Sequence, residues 1–408
     1  MNVYGWIFLL FGYHLCGFGA HTNTDDDRNL RAKAKRLADT FIIVDTHIDV
    51  PYRLTERMED ISVRTDHGEF DYPRAKAGGL NVPFMSIYVP ASYEEKGGAK
   101  KFADGLIDMV EGFAQKWPEK FAMAKSVSDV TRQFSDGKVS LAMGMENGSP
   151  IEGNLENIRY FYDRGIRYIT LVHSKNNHIC DSSFDKERRW NGLSPFGRQV
   201  VAEMNRLGIM IDVSHVSDSA FYQVMSLSRT PVIASHSSCR HFTPGWERNM
   251  DDNMIKLLAS KGGVIQINFG SAFLTEELQK KWDVAWGEIM HYLTVNNLKS
   301  SDKEAEEFIR KYRESHKIGF ADISDVVAHI DHVVRLVGVD YVGFGSDFDG
   351  VGDSLPTGLK DVSDYPNLIF ELLKKGYSDE DIEKICSGNL LRVWSQVEKT
   401  AREIQAGQ

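Results

Sequence analysis

From Phe41 onward the chain alternates short apolar, β-branched runs with longer amphipathic segments, and it does so eight times. The apolar runs are continuous rather than alternating, as in strands of a parallel sheet that helices cover on both faces. Eight such units predict an α/β protein with a closed, distorted (β/α)8 TIM barrel, the alternative being an open doubly wound sheet. The predicted strands are Phe41–Ile48, Asn81–Val89, Val139–Glu146, Tyr168–His173, Ile209–His215, Val232–His236, Gly263–Phe269 and Tyr341–Asp347.

The segments between these strands carry helix signals. Ser194 precedes a proline at the first helical position, and Gly165 and Gly208 stand where a glycine ends a helix. No phosphate-binding glycine motif follows a strand, which argues against a nucleotide-binding version of the open sheet. We predict helices at Leu155–Arg164, Pro195–Leu207, Ser217–Leu227 and Asp251–Ser260.

Three segments fall outside the repeated unit. Ala91–Val130 is a long excursion after the second strand, predicted to be helical around Lys101–Trp117. Phe273–Phe320 is a highly charged insertion before the eighth strand, and we expect a solvated helical hairpin there. Tyr365–Ile404 predicts two helices that pack on the barrel. We therefore expect a single domain over residues 30–400.

Composition excludes several classes of protein. The 48 basic residues against 58 acidic ones give a net charge of −10, which argues against nucleic acid as a partner. The four cysteines include no CxxC pair, which excludes a zinc ribbon.

The N-terminus contains an apolar stretch, Val3–Phe18, that is short for a membrane-spanning helix and resembles the core of a signal peptide. We predict that residues 1–20 are a signal peptide, that the protein is exported, and that the mature chain has no membrane span. The alternative is an N-terminal extension on a cytoplasmic protein.

Polar residues stand at the carboxyl ends of most predicted strands, where the catalytic groups of a parallel barrel lie. Any one of them could be a structural hydrogen bonder, and the DFDG segment could be a turn. Their position on one rim, and the cost of burying unpaired carboxylates and imidazoles, together predict a metal centre. These residues are His47, Asp49, Glu146, His173, His215, His236, Asp347 and Asp349.

Imidazole and carboxylate ligands without thiolate favour zinc. Five such ligands suggest two ions that share a carboxylate and activate a bridging water as the nucleophile. Consistent with this chemistry, the chain has no GxSxG elbow, HExxH helix or cysteine-protease signature.

Taken together, the segments VDTHIDVP, GMENG, TLVHSKNN, IDVSHVSD, ASHSS and GSDFDG resemble the renal (membrane) dipeptidase family, metallopeptidase family M19 of the amidohydrolase superfamily. The resemblance extends from about Asp45 to Val393. It implies a zinc-dependent dipeptidase that hydrolyses L-Xaa-L-Xaa or L-Xaa-D-Xaa substrates by attack of a metal-bridging hydroxide. It also implies a homodimer.

The resemblance further implies a role for each residue of the rim. His173 matches the residue that polarises the scissile carbonyl, and Asp347 matches the general acid/base. Arg248 matches the arginine that binds the substrate's C-terminal carboxylate, with Arg240 as a lesser candidate. The ligands of the first zinc ion match His47, Asp49 and Glu146. Those of the second match Glu146, His215 and His236, with Glu146 as the bridge between the two ions.

Two other functions stay open. One is a different superfamily activity, such as hydrolysis of N-acyl amino acids, cyclic amides or β-lactams. Most superfamily members carry HxH on the first strand, whereas this chain has HID, which favours the dipeptidase. The other is an inactive metal-binding barrel, which would have lost a ligand or Asp347.

Overall fold

The computed structural model describes residues 24–299 and 302–407. Their strands form one parallel sheet in the order β2-β1-β9-β8-β7-β6-β5-β4-β3, and pairing of β2 with β4 closes eight of them into a barrel. This confirms the predicted (β/α)8 barrel. The strands are β1 (Ile43–Ile48), β2 (Leu80–Tyr88), β3 (Phe121–Met123), β4 (Val139–Glu146), β5 (Ile166–Thr170), β6 (Met210–Asp212), β7 (Ile233–Ser237), β8 (Val264–Ile267) and β9 (Val342–Phe344).

Eight of the nine strands that the structure describes were predicted, and the additional one is β3. It pairs with the first residues of β4, from Val139 to Leu141, whereas β2 pairs with β4 from Ala142 onward. The long β4 therefore serves two neighbours in succession, and β3 lies outside the closed barrel. Three residues are too few for a periodicity signal, so the residues of β3 were predicted only as part of the excursion between β2 and β4.

Helices surround the barrel and fill its insertions. The insertion before the last strand is the expected helical hairpin, α12 and α13. The C-terminal segment has three helices where two were predicted, because the π-helical turn Lys384–Gly388 separates α16 from α17. The helices are α1 (Thr24–Thr40), α2 (Val50–Glu56), α3 (Tyr72–Gly78), α4 (Tyr93–Lys96), α5 (Ala99–Lys116), α6 (Val127–Ser135), α7 (Glu156–Arg164), α8 (Pro195–Leu207), α9 (Asp218–Leu227), α10 (Asp252–Ser260), α11 (Ser271–Leu274), α12 (Glu276–Val295), α13 (Lys303–His316), α14 (Ile323–Val337), α15 (Tyr365–Lys374), α16 (Asp379–Glu383) and α17 (Asn389–Gln405).

The predicted helix signals act as expected. The Ser194 side chain accepts a hydrogen bond from the Gly197 backbone N–H and so caps α8. Gly165 and Gly208 adopt left-handed φ values of 108° and 88° after α7 and α8, a conformation that disfavours any residue with a Cβ. Each glycine thus ends a helix and turns the chain into the next strand.

The amino ends of the strands are sealed by α17. Trp394 is fully buried there, and its ring centroid lies 5.4 Å from that of Phe84 on β2. Val393 and Val397 of the same helix join the cluster of interior residues from the strand starts. With this end filled, the functional groups of the barrel lie at the carboxyl ends of the strands.

The predicted signal peptide, residues 1–20, lies outside the described residues. Among the helices of the described part, none is both long and apolar enough to cross a membrane. Cys180, Cys239 and Cys386 are buried free thiols.

Candidate metal centre

The predicted rim residues converge at the carboxyl end of the barrel. His47 belongs to β1, Glu146 is the last residue of β4, and His236 lies within β7. Asp49 follows β1 directly, His215 and Asp347 lie three residues beyond β6 and β9, and these six are all buried. His173 lies three residues beyond β5 rather than on the strand, and it is less buried than the others. Asp349 instead binds the Glu69 backbone N–H and lies 3.1 Å from Arg53 Nε.

The backbone is left-handed at several of these strand ends. Asn147, His215, Asp347 and Asp349 have φ values of 75°, 67°, 64° and 64°. For residues with a Cβ such a conformation is uncommon and costs about 1–3 kcal/mol, so it persists only where surrounding contacts hold it. Its concentration on one rim marks that rim as the functional end of the barrel.

Glu146 directs its two carboxylate oxygens to different metal-ligating side chains. Oε1 lies 3.0 Å from His215 Nε2, 3.3 Å from His236 Nε2 and 3.6 Å from His173 Nε2. Oε2 lies 3.4 Å from His47 Nε2, which is also 3.4 Å from Asp49 Oδ2. One oxygen of Glu146 is therefore available to a metal ion on each side of the carboxylate.

Three groups of side chains in the described part of the chain could hold a metal ion. In each group, one ligand atom per residue lies within 4.8 Å of the others. Two groups share Glu146, as a carboxylate between two neighbouring ions would require. The groups are His47, Glu146 and His236; Glu146, His173 and His215; and His47, Asp49 and Asp347.

The unsatisfied atoms of this cluster fit a cation. His47 Nε2 and Asp49 Oδ1 are buried and lack a hydrogen-bond partner among the described residues. Atoms of this kind need an explanation, and a metal ion supplies one. The far nitrogen of His47, Nδ1, lies 2.8 Å from the Tyr168 hydroxyl. Such an outer contact orients the ring and leaves Nε2 free for an ion.

His236 has a similar outer contact. Its Nδ1 lies 2.7 Å from Ser235 Oγ, which donates to Asp212 Oδ2 at 2.6 Å. Sequence reasoning did not single out Tyr168, Ser235 or Asp212, although Ser235 and Asp212 stand in the quoted segments ASHSS and IDVSH.

Burial and charge set the protonation states in the cluster. Burial and the nearby Arg248 guanidinium lower the pKa of His215 well below its usual value, and burial with His47 does the same for His236. Both imidazoles are then neutral, as metal ligands must be. Burial would raise the pKa of Glu146, but His47 and His173 lower it well below its usual value, so it stays a carboxylate.

Asp347 occupies a different environment from Glu146. Its Oδ2 accepts a hydrogen bond of 2.7 Å from Asn268 Nδ2, at the end of β8. A Cβ built on Gly350 would lie 2.3 Å from both Asp347 Oδ1 and Asp49 Oδ2, so those two oxygens face the same small space. Burial, opposed by His47 and aided by Asp49 and Glu146, raises the pKa of Asp347 to about 7.

Arg248 is buried beside the histidines. It donates from Nη1 to Ser237 Oγ at 2.9 Å and from Nη2 to the His236 carbonyl at 2.8 Å. Its Nε has no hydrogen-bond partner among the described residues, and the carboxylates that favour its charged form, Asp347, Glu146 and Asp212, act on it electrostatically. A buried guanidinium with an unpaired donor is a site for an anion.

Arg240, the lesser candidate for that anion site, lies in a different arrangement. It binds both carboxylate oxygens of Asp218, at 2.8 and 2.6 Å. Its charge is neutralised within the protein, and Arg248 is therefore the better candidate.

Several aromatic residues near the cluster were not predicted. The Tyr88 ring lies 4.8 Å from that of His173 and 4.9 Å from that of Tyr52. Phe184 lies 5.7 Å from the His215 ring. No spacing rule singles out such residues, because they come from different elements: Tyr88 ends β2, Tyr52 lies on α2, and Phe184 lies in the loop after β5.

Comparisons with known proteins identify similar families and structures. A model of the membrane dipeptidase family, peptidase family M19, matches residues 31–408. "Dipeptidase aclJ" of Aspergillus oryzae is 33% identical over 351 residues, which cover 83% of this chain and 74% of that protein. "Dipeptidase 3" of Mus musculus is 30% identical over 391 residues, which cover 94% of this chain and 69% of the mouse protein.

Two solved structures share the fold over most of both chains. The probable dipeptidase PvdM from Pseudomonas aeruginosa has a TM-score of 0.77 and 27% identity, covering 91% of this chain and 99% of its own. A metallo peptidase from Rhodobacter sphaeroides, liganded with a phosphinate mimic of the dipeptide L-Ala-D-Ala, has a TM-score of 0.72 and 25% identity. It covers 88% of this chain and 99% of its own.

Proposed function

The chain belongs to the membrane dipeptidase family, peptidase family M19, and is a metallo-dipeptidase; from this premise we propose a zinc-dependent hydrolysis of L-Xaa-L-Xaa and L-Xaa-D-Xaa dipeptides. The observation that carries the proposal is Glu146, because Oε1 faces His215, His236 and His173 whereas Oε2 faces His47, which lies beside Asp49. A carboxylate in this position suits two ions held close together.

In the proposed centre, His47 and Asp49 would hold one zinc ion, His215 and His236 would hold the other, and Glu146 would serve both. The donor set of imidazoles and carboxylates is typical of zinc. Zinc bound there would supply Lewis acidity, which lowers the pKa of a coordinated water toward neutrality and so activates it as the nucleophile.

Asp347 is proposed as the general acid/base. Its Oδ2 is held by Asn268, so Oδ1, which faces Asp49, is the oxygen left to accept the proton of the nucleophile. Asp347 then delivers this proton to the leaving amine. A pKa raised to about 7 suits a group that must both take and give a proton near neutral pH.

His173 and Arg248 are proposed to position the substrate. His173 lies on the open side of Glu146 and donates to the carbonyl oxygen as negative charge develops there. Arg248 binds the substrate's terminal carboxylate. Because Arg248 lies beside His215 and His236, the carboxylate it binds can be only one residue away from the scissile amide. This limit on length favours dipeptides over tripeptides.

The sequence also motivates proposals that concern the rest of the molecule. We propose a single catalytic domain over residues 30–400, export directed by residues 1–20, and assembly as a homodimer. Mass determination of the mature protein tests the cleavage, and ultracentrifugation tests the assembly.

A hydrolysis screen tests the proposed reaction. Purified protein loaded with zinc is given L-Xaa-L-Xaa and L-Xaa-D-Xaa dipeptides, matching tripeptides and N-acyl amino acids, before and after chelation. We expect zinc-dependent cleavage of dipeptides alone. Cleavage of N-acyl amino acids with dipeptides spared would overturn the proposal in favour of another amidohydrolase activity.

A further inference from the structure

Three aromatic side chains from the segments after three different strands form a row that ends beside Arg248, and we call them the aromatic wall: Phe184, Trp246 and Phe273. The Trp246 ring centroid lies 6.1 Å from that of Phe184 and 5.2 Å from that of Phe273. The guanidinium carbon of Arg248 lies 5.1 Å from the Phe273 ring centroid. The wall is thus continuous and adjoins the buried guanidinium.

The wall is incompletely covered by the protein. Phe184 is 40% exposed, and Trp246 and Phe273 are only partly buried. Grouped apolar surface that remains exposed marks a binding surface more often than isolated apolar residues do. Its members come from the loops after β5 and β7 and from α11 after β8, and such loops set specificity in this barrel fold.

The position of Arg248 decides which part of a substrate meets the wall. In a dipeptide the side chain of the C-terminal residue branches from the carbon that bears the carboxylate. Once Arg248 holds that carboxylate, this side chain lies next to the wall. The N-terminal residue lies toward Asp49, where the nearby aromatic rings are Tyr52 and Tyr88 rather than the wall.

We propose that the aromatic wall binds an apolar or aromatic side chain on the C-terminal residue of the dipeptide and sets the specificity of this chain for that residue. The inference rests on the proposed dipeptidase function and deepens it. Because burial of a large apolar side chain favours binding, C-terminal Leu or Phe should be favoured over Gly roughly tenfold or more in kcat/KM.

The test is a series with one N-terminal residue and a varied C-terminal one: L-Ala-Gly, L-Ala-L-Ala, L-Ala-L-Leu, L-Ala-L-Phe and the D counterparts. The variants are Phe184→Ser and Trp246→Ser, with Trp246→Phe as the conservative partner. The control is Tyr222→Ser, because Tyr222 is 43% exposed on α9 and takes no part in the site. Zinc content and melting temperature are measured for each variant.

We expect Trp246→Ser to lower kcat/KM for L-Ala-L-Phe about tenfold while L-Ala-Gly changes less than about twofold, and Trp246→Phe to restore most of the loss. An equal loss for every substrate would overturn the inference, since it would indicate a general structural role. So would a wild-type enzyme that cleaves L-Ala-Gly as well as L-Ala-L-Phe.

A failure of the proposed function gives a different result. If no dipeptide is cleaved, calorimetric titration of the zinc-loaded protein with L-Ala-L-Phe and L-Ala-Gly still measures how much the aromatic wall contributes to binding of the C-terminal side chain. Tighter binding of L-Ala-L-Phe that Trp246→Ser abolishes would support the wall without the hydrolysis. Equal binding of the two dipeptides, or none, would overturn the inference.

Discussion

The side-chain amide of Asn268 holds one oxygen of Asp347, with Nδ2 donating to Oδ2 at 2.7 Å. The amide is itself oriented, because Asn268 Oδ1 accepts a hydrogen bond from the Gly270 backbone N–H at 2.7 Å. Asp347 therefore presents its other oxygen to the metal centre in one orientation. Asp347 is thus the group proposed to transfer the proton, and Asn268 is the group that positions Asp347.

Replacement of Asp347 tests the proton transfer. We expect Asp347→Asn to keep its metal and to lose about 10²–10⁴-fold in kcat, because the amide cannot accept the proton of the nucleophile. Steady-state kinetics and bound-metal analysis measure the two effects. An unchanged kcat would assign the acid/base role to another residue.

Replacement of Asn268 tests the positioning. We expect Asn268→Ala to lower kcat about tenfold with little change in KM or zinc content, because proton transfer depends on alignment of the carboxylate. The matched control is the same substitution in Asp347→Asn, where it should have almost no further effect. Additive losses in the double variant would show that Asn268 acts by a separate route.

Glu146 is expected to be essential for metal retention. Glu146→Ala removes the carboxylate that faces His215 and His236 with one oxygen and His47 with the other, and we expect loss of bound zinc together with activity. Elemental analysis after dialysis measures the zinc. Full retention of two ions per chain would refute a bridging role.

Arg248 is expected to affect substrate affinity more than turnover. A hydrogen bond between charged groups contributes about 1.5–3 kcal/mol, so Arg248→Ala should raise KM roughly tenfold to a hundredfold. The matched control is Arg240→Ala, because Arg240 is already paired with Asp218. An unaltered KM for Arg248→Ala would move the carboxylate site elsewhere.

His329 makes stability depend on pH. Its Nδ1 accepts from the Cys239 N–H at 3.0 Å and its Nε2 donates to the Leu274 carbonyl at 3.0 Å, so the fold suits the neutral ring. Burial lowers its pKa from 6.5 to about 4, with the nearby His332 and His241 acting in the same direction. An unfolded chain takes up this proton at higher pH than the native one does.

The contribution of His329 is therefore fully present above pH 6.5 and is lost as the pH falls from there through about 4, by on the order of 3 kcal/mol. Urea unfolding at pH 7.5 and pH 5 measures it. His329→Gln should reduce the difference between the two pH values, and loss of metal at acid pH affects both proteins alike. An identical difference in the variant would contradict the assignment.

The sequence was most informative where geometry follows from chain direction. Parallel strands bring their carboxyl ends to one rim, so His47, Glu146 and Asp347 could be predicted to meet although some 300 residues separate the first from the last. The same rule could have found Asn268, which directly follows the residues of β8. It misplaced the ends of β5, β6 and β9 by three residues each, so that His173, His215 and Asp347 lie in the loops that follow these strands.

Other features were beyond the sequence for physical reasons. The strand β3 is too short to show a period, and its pairing with the first half of β4 is a long-range contact. Phe184, Trp246 and Phe273 meet only because three loops fold toward one another, and loop conformation has no periodic signature.

The burial of Trp394 determines the route by which substrate and products reach and leave the metal centre. Because α17 seals the amino ends of the strands, the barrel is open only at the carboxyl ends of the strands and is not a channel. The dipeptide must then enter, and both amino acids must leave, through the same opening. Hydrolysis leaves a carboxylate on both amino acids, because the C-terminal one keeps the carboxylate for which Arg248 is proposed and the N-terminal one gains its carboxylate at the metal centre. Both products should therefore be retained after hydrolysis, and either free amino acid should compete with the dipeptide for the site.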